Sequence, residues 1–169
     1  MELSVELCYT KSVFSFGNTL PTGEEIKIYH LENKSGAYAE VLSFGAILAK
    51  ICVPDKTGEL RDVVLGYDDI EGYEVNGCFF GAIIGRSGNR IENARFFIDD
   101  KEVVLAENEN HNNLHSGPNG FEKKLWEVKE ISQEKNSVDF FRISPDGENG
   151  FPGEFTVVVK YEFTEENEL

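Results

Sequence analysis

The 169-residue sequence is poor in the features that would tie it to a membrane or to nucleic acid. It has 16 basic residues against 31 acidic ones, for a formal net charge of −15, so phosphate backbones and anionic membranes would repel it. No apolar run approaches the ~18 residues of a membrane span, and the N-terminal residues lack a basic start and a sustained apolar stretch. We therefore predict a cytoplasmic protein with no nucleic-acid partner and no membrane partner.

Cysteine and histidine are also scarce. Cys8, Cys52 and Cys78 are far apart and form no Cys-x-x-Cys pair, which indicates reduced, mostly structural thiols. His111 and His115 are four residues apart, a spacing that suits a metal ion on a helix. The Asn-Asn-Leu between them and the Ser-Gly-Pro that follows disfavour a helix, and the sequence indicates no third ligand. We expect no metal and no other cofactor.

Helical periodicity is nearly absent as well. No window of about 11 residues shows an apolar stripe, and the best stretch, residues 70–73, is too short. Short strand-like runs separated by turn residues are present instead, after a lead-in strand and loop in residues 1–25. The predicted strands are 26–31, 38–43, 47–53, 63–65, 79–84, 94–98, 102–105, 126–131, 138–143 and 155–163. This pattern predicts an all-β meander.

Two polar clusters interrupt the strand-like pattern. The first, Gly-Arg-Ser-Gly-Asn-Arg at 85–90, directly follows the apolar run 79–84. We interpret that run as a buried strand that delivers two arginines and an asparagine to its end, where guanidinium groups need a polar partner. The second cluster begins at His111 and lies in a loop, 107–120, that is rich in Asn, Gly and His. Such a loop on a rigid sheet is a usual place for a binding site.

These clusters resemble motifs of the aldose 1-epimerase (galactose mutarotase) family. The similarity runs from about residue 26 to the last residue. It rests on Gly-Arg-x-x-Asn-Arg-Ile at 85–91, Asn-Asn-Leu-His-x-Gly-Pro at 112–118, Gly120-Phe121, Trp126 and Ser-Pro-Asp-Gly-Glu-Asn-Gly-Phe-Pro-Gly at 144–153. The resemblance implies the N-terminal portion of a galactose mutarotase-like β-sandwich, the supersandwich, which agrees with the meander. Because family members run about twice this length, we expect residues 1–169 to form a single domain that is incomplete at its C-terminus.

The resemblance also implies a function: an isomerase that interconverts the α and β anomers of hexoses such as galactose or glucose. Asn89, Arg90 and His115 would bind the substrate, the first two by donating to sugar hydroxyls. His115 would orient the sugar by a hydrogen bond to the ring oxygen or a neighbouring hydroxyl. It lies in the family's Leu-His-Gly-Gly pattern, with Ser116, a small residue, in place of the first glycine. The family's acid histidine and base glutamate lie beyond residue 169, so the resemblance assigns this chain a substrate-binding half-site.

Other interpretations stay open at this stage. A non-catalytic carbohydrate-binding module with the same fold is one alternative. A hexose 6-phosphate epimerase is another, although it would need additional cationic residues, which the net charge of −15 makes less attractive. We assign Arg86 a structural pairing role, favour a core position for Trp126 over stacking on a sugar, and assign His111 no role.

The last predicted strand indicates a macromolecular partner. It places five large apolar residues on one face: Phe155, Val157, Val159, Tyr161 and Phe163. An uncovered strand edge pairs readily with another chain. Besides a monosaccharide substrate, we therefore expect a homodimer, a second polypeptide that covers this sheet, or a longer reading frame, and we expect weak epimerase activity from this chain alone.

Overall fold

The structure is a computed structural model, and it describes residues 13–20 and 23–169. Its first sheet is an antiparallel meander in which each strand pairs with the next along the chain. The strands are β1 (Val13–Thr19), β2 (Glu25–Glu32), β3 (Tyr38–Leu42), β4 (Leu48–Pro54) and β5 (Leu60–Asp62). The predicted lead-in strand corresponds to β1, while Cys8 lies outside the described residues.

Shorter elements follow and hold the two polar clusters. They are a short helix, α1 (Ile70–Val75), and the strands β6 (Arg90–Ile91), β7 (Arg95–Ile98), β8 (Lys101–Val104) and β9 (Asn113–Leu114). β7 and β8 pair antiparallel as a hairpin and confirm the predicted strands 94–98 and 102–105. The two-residue strands β6 and β9 pair antiparallel with each other.

The second sheet contains β10 (Glu127–Ser132), β11 (Ser137–Ser144) and β12 (Phe155–Glu162), again in chain order. Its inner face packs against the inner face of the first sheet, as expected for a β-sandwich. The shared core contains Tyr29, Leu31, Ala37, Ala39, Val41, Ala46, Phe121, Trp126, Val138, Phe140 and Phe163. The all-β prediction and the core position of Trp126 are confirmed.

The apolar face of β12 packs largely against the chain's own core, whereas the outer edge of β12 pairs with no strand among the described residues. Val157, Val159 and Tyr161 pack against the shared core, and Phe163 is fully buried. The Tyr161 hydroxyl donates to the Ala46 carbonyl of the β3–β4 turn at 2.8 Å, which joins the two sheets. Burial raises the pKa of Tyr161 to about 12. Phe155 alone among the five stays half-exposed.

Three predicted elements between residues 63 and 84 differ from the structure. The run 79–84 is not a strand, because Phe79 and Gly81 have φ angles of +57° and +62° and turn the chain. Asn76 stabilises this turn, since its side chain accepts from the Phe80 N–H and donates to the Phe80 carbonyl. The pairing with β4 involves residues 60–62 rather than 63–65. Residues 70–75 do form a helix, capped by Asp69, although it is too short for apolar periodicity to reveal.

No described helix is long and apolar enough to cross a bilayer. Among the described cysteines, Cys52 is buried and Cys78 is exposed, and both are free thiols.

Candidate functional site

The β6–β9 ladder brings the two polar clusters together. Arg90 pairs with Leu114 in this ladder, so Asn89 and His115 face each other just beyond its end. The His115 N–H donates to the Asn89 carbonyl at 3.0 Å. In return, the Asn89 N–H donates to Nδ1 of the His115 ring at 3.0 Å. The structure therefore places the predicted residues Asn89, Arg90 and His115 side by side.

The bond from Asn89 also determines what the His115 ring can offer a ligand. Because Nδ1 accepts a hydrogen bond, the neutral ring carries its hydrogen on Nε2. No described protein group bonds to Nε2, so this N–H is available as a donor. The ring of Phe79 packs edge-on against the imidazole, with centroids 4.7 Å apart, and helps to fix its plane. His115 is thus an oriented hydrogen-bond donor.

The guanidinium of Arg90 is oriented by a carboxylate that the sequence analysis did not identify. Nε and Nη2 of Arg90 donate to the two carboxylate oxygens of Glu109 at 3.2 and 3.3 Å. Nη1 donates to Oδ1 of Asn89 at 3.3 Å. The hydrogen bonds from Arg90, and then that from Asn112, hold the pKa of Glu109 below its usual range. The Arg90 side chain stays 53% exposed, which leaves N–H groups accessible to a ligand.

Arg86 points away from this site and has the predicted structural role. Its Nε donates to the Ser144 hydroxyl and its Nη2 to the Ser144 carbonyl, both at 2.9 Å. Further bonds of 2.8 and 3.0 Å reach the carbonyls of Pro145 and Pro152. Arg86 therefore fastens the first polar cluster to the 144–153 motif.

A buried ionic network continues from this fastening. Ser144 donates to Glu148, and Arg142 donates to both oxygens of the same carboxylate, at 2.9 and 3.2 Å. Burial acts to raise the pKa of Glu148, but the hydrogen bonds from Ser144 and Arg142 outweigh it, and the net shift is downward. The Arg142 guanidinium lies 4.8 Å from the centre of the Phe121 ring. A Cβ at Gly85 would lie 2.3 Å from that ring, so only glycine permits this close packing.

Asparagine side chains hold the second polar cluster in shape. Asn108 bonds to both the N–H and the carbonyl of Leu114, at 2.7 and 2.9 Å. The fully buried Asn113 donates to the Ala106 carbonyl at 2.7 Å. Asparagine side chains thus supply hydrogen bonds to the backbone of this loop, which explains why the sequence here is rich in asparagine.

His111 lies apart from this constellation. Its side chain is 86% exposed, and Nδ1 is 3.0 Å from a carboxylate oxygen of Glu107. The pair lines a shallow surface depression together with Asn93 and Arg95. In the part of the chain that the structure describes, no three His, Cys, Asp or Glu side chains are grouped as metal ligands.

A second acidic residue that the sequence analysis missed lies beneath the site. Glu122 is 2% exposed, and its Oε2 has no hydrogen-bond partner within the described residues. Burial raises the pKa of Glu122, against the opposing effects of nearby backbone N–H groups and of Lys123 and Lys124. Its burial was not visible from sequence, because nothing in its sequence neighbours marks it as buried.

Comparisons with known proteins match the chain to one family. The family model described as Aldose 1-epimerase matches residues 27–169. Human galactose mutarotase is 41% identical over 146 residues, which cover 86% of this chain and 42% of that protein. Aldose 1-epimerase of Escherichia coli K12 is 35% identical over 149 residues, which cover 88% of this chain and 42% of that protein. The chain therefore spans less than half the length of these relatives.

A solved structure shows the same fold. The GalM/aldose epimerase homologue from C. elegans superposes with a TM-score of 0.74 at 37% sequence identity. The superposition covers 80% of this chain and 41% of that one. It confirms the predicted galactose mutarotase-like β-sandwich.

Proposed function

The chain belongs to the aldose 1-epimerase family, and on that premise we propose that it supplies the sugar-binding half of an aldose 1-epimerase acting on hexoses such as galactose or glucose. The observation that carries the proposal is the reciprocal pair of hydrogen bonds between Asn89 and His115, with the Arg90 guanidinium beside it. Three polar residues from two motifs that are distant in sequence lie together there, with N–H groups of His115 and Arg90 available to a ligand.

These donors suit the chemistry of anomer exchange. In mutarotation a base removes the proton of the C1 hydroxyl while an acid protonates the ring oxygen, and the opened chain rotates about C1–C2 before it closes. An oriented Nε2–H from His115 stabilises negative charge that develops on the ring oxygen or a neighbouring hydroxyl. The Arg90 N–H groups bind further hydroxyls. We assign binding and orientation to these residues and no general acid or base.

The geometry gives no support to the alternatives. A phosphosugar would favour an excess of positive charge at the site, whereas Glu109 already neutralises Arg90. No described feature favours a non-catalytic module over an epimerase half-site.

The test is an NMR titration of the ¹⁵N-labelled chain with D-galactose and D-glucose, with myo-inositol as a polyol that has no anomeric centre. We expect the aldoses to shift the signals of Asn89, Arg90 and His115. The variant His115→Asn should weaken binding at least tenfold, since the shorter amide cannot place an N–H donor where Nε2–H of the imidazole lies. The matched variant His111→Asn should leave the affinity unchanged. Unshifted signals at all three residues would contradict the proposal.

The cytoplasmic location and the homodimer or second polypeptide remain predictions from the sequence. Cell fractionation of the native protein tests the first. Size-exclusion chromatography with light scattering, on the chain alone and on the native protein, tests the second.

A further inference from the structure

The loop that presents His115 has an unusual backbone. Three consecutive residues, His115, Ser116 and Gly117, have φ angles of +53°, +73° and +102°. Glycine adopts this left-handed region readily, but residues with a side chain do so at a cost in free energy. Strain of this kind persists where surrounding contacts impose it. Serine at position 116 therefore needs a compensating contact.

The Ser116 hydroxyl supplies that contact. It is 2% exposed, and its oxygen accepts from the N–H of Ser87 at 2.7 Å. The same hydroxyl donates to the carbonyl of Ser87 at 2.9 Å. One side chain of the second polar cluster thus satisfies both backbone groups of a residue in the first cluster.

These two bonds lie in line with the β6–β9 ladder. Arg90 pairs with Leu114, Asn89 exchanges hydrogen bonds with His115, and Ser87 bonds to Ser116. The hydroxyl replaces a backbone ladder bond at the point where the two segments would otherwise separate. The β6–β9 ladder holds the Asn89–His115 pair on one side. The Ser116 hydroxyl holds the backbone on the other side, through its bonds to Ser87.

We propose that Ser116 is a positioning residue: its buried hydroxyl locks the His115 loop to the Gly85–Arg90 loop and thereby fixes the orientation of the His115 ring beside Asn89 and Arg90. The consequence for sugar binding rests on the proposed function. The lock on the His115 ring does not, since the contacts that define it are within the protein.

Two variants of the whole 169-residue chain separate this role from a contribution to stability alone. Ser116→Ala removes the hydroxyl and keeps the unfavourable φ, whereas Ser116→Gly removes the hydroxyl and relieves the φ. Ser43→Ala is the control, because Ser43 is a buried serine just after β3 whose hydroxyl accepts from the Lys27 N–H at 2.9 Å. We expect the glycine variant to be as stable as the wild type to urea and the alanine variant to be less stable.

The direct readout is the ¹⁵N spectrum of the imidazole rings, in which three histidines are simple to assign. In the wild type we expect His115 as the single tautomer with hydrogen on Nε2. Both Ser116 variants should convert this signal to a mixture of tautomers and should weaken D-galactose binding about tenfold, as expected for two lost hydrogen bonds. Ser43→Ala should change neither.

Each result has a definite meaning. Wild-type His115 signals in both Ser116 variants would overturn the proposal, whether or not the chain binds sugar. Altered signals with unchanged galactose affinity in Ser116→Gly would confirm the lock on the His115 ring and overturn its consequence for sugar binding. If the wild type binds no galactose but the His115 signals change in the variants, the lock stands and the proposed function fails.

Discussion

The two sheets of the sandwich and the segment 85–117 hold their backbones in place by different means. In the second sheet, β11 and β12 pair residue for residue from Ser137 and Glu162 to Ser144 and Phe155. In the segment 85–117, the β6–β9 ladder is two residues long, and side chains of Asn, Ser and His replace the missing ladder bonds. Sheet stability is therefore spread over many repeated contacts, whereas the geometry of the site depends on a few individual side chains.

This difference predicts which substitutions damage folding and which damage binding. A change in the shared core should unfold the protein without a specific effect on the site. A change in the segment 85–117 should alter binding with a smaller effect on stability, because the sandwich stays intact. The predictions below test this contrast, from the largest expected effect to the smallest.

The largest effect is expected from Phe140→Ala in the shared core. Phe140 is fully buried and contacts Tyr29 edge-on, with ring centroids 5.3 Å apart. Removal of such a side chain costs about 3–5 kcal/mol, from lost burial and the cavity that remains. The control, Phe97→Ala, removes the same side chain at a position that is 65% exposed on β7, and should cost less than about 1 kcal/mol. Urea unfolding measures both, and equal losses would contradict the assignment of the core.

The two arginines of the first polar cluster give the next contrast. Arg86→Met removes the four hydrogen bonds that this side chain donates to the 144–153 motif and should lower the free energy of unfolding by about 2–3 kcal/mol. Arg90→Met breaks an exposed ion pair with Glu109, which contributes little to stability because solvent screens it, but removes donors from the sugar site. We expect Arg90→Met to be nearly as stable as the wild type and to bind D-galactose more than tenfold more weakly. Calorimetric titration and urea unfolding of both variants decide the matter, and a stable Arg86→Met would refute its structural role.

Much of the sandwich could be predicted from the sequence, because the alternation of apolar and polar residues along a strand is visible within a few neighbouring positions. The strands of the second sheet follow from apolar residues at every second position together with polar turns between them. The same reasoning wrongly predicted a strand at 79–84, because the apolar composition of that run is typical of a buried strand. Its turns depend on the left-handed φ of Phe79 and on the side chain of Asn76, which hydrophobicity does not reveal.

The site was less predictable, because its contacts join residues that are distant in sequence. The resemblance to the family identified Asn89, Arg90 and His115, but the bond from Asn89 to the His115 ring spans 26 positions and required coordinates. The partners Glu109 and Ser87 carry no local signal. Ser116 stands where the family's pattern has glycine, and this difference was visible in the sequence. The structure shows the hydroxyl contacts that accompany it.

The smallest effect is expected from Glu122, and it should be visible as a dependence on pH. Burial raises the pKa of this carboxyl above its ordinary value of 4.5 in the folded protein. Gly120 lies close to two hydrogen-bond acceptors, Oε2 of Glu122 and the carbonyl oxygen of His115. A Cβ placed on Gly120 would be 2.4 Å from the first and 2.8 Å from the second. Both acceptors therefore border the same small space beneath the site. A protonated carboxyl can donate there, whereas a carboxylate cannot.

The sign of the pH effect follows from this shift. A raised pKa in the folded state means that the contribution of Glu122 to stability is fully present below pH 4.5 and is lost as the pH rises through the folded value. Glu122→Gln, which keeps the shape and a donor but does not ionise, should remove this loss, so its stability should exceed that of the wild type increasingly as the pH rises. Glu134→Gln, in the exposed β10–β11 turn, is the control for the change in net charge. Melting temperatures of the wild type and both variants, measured from below pH 4.5 upwards, provide the comparison. Parallel curves for the wild type and Glu122→Gln would mean that the buried carboxyl has no titration coupled to folding.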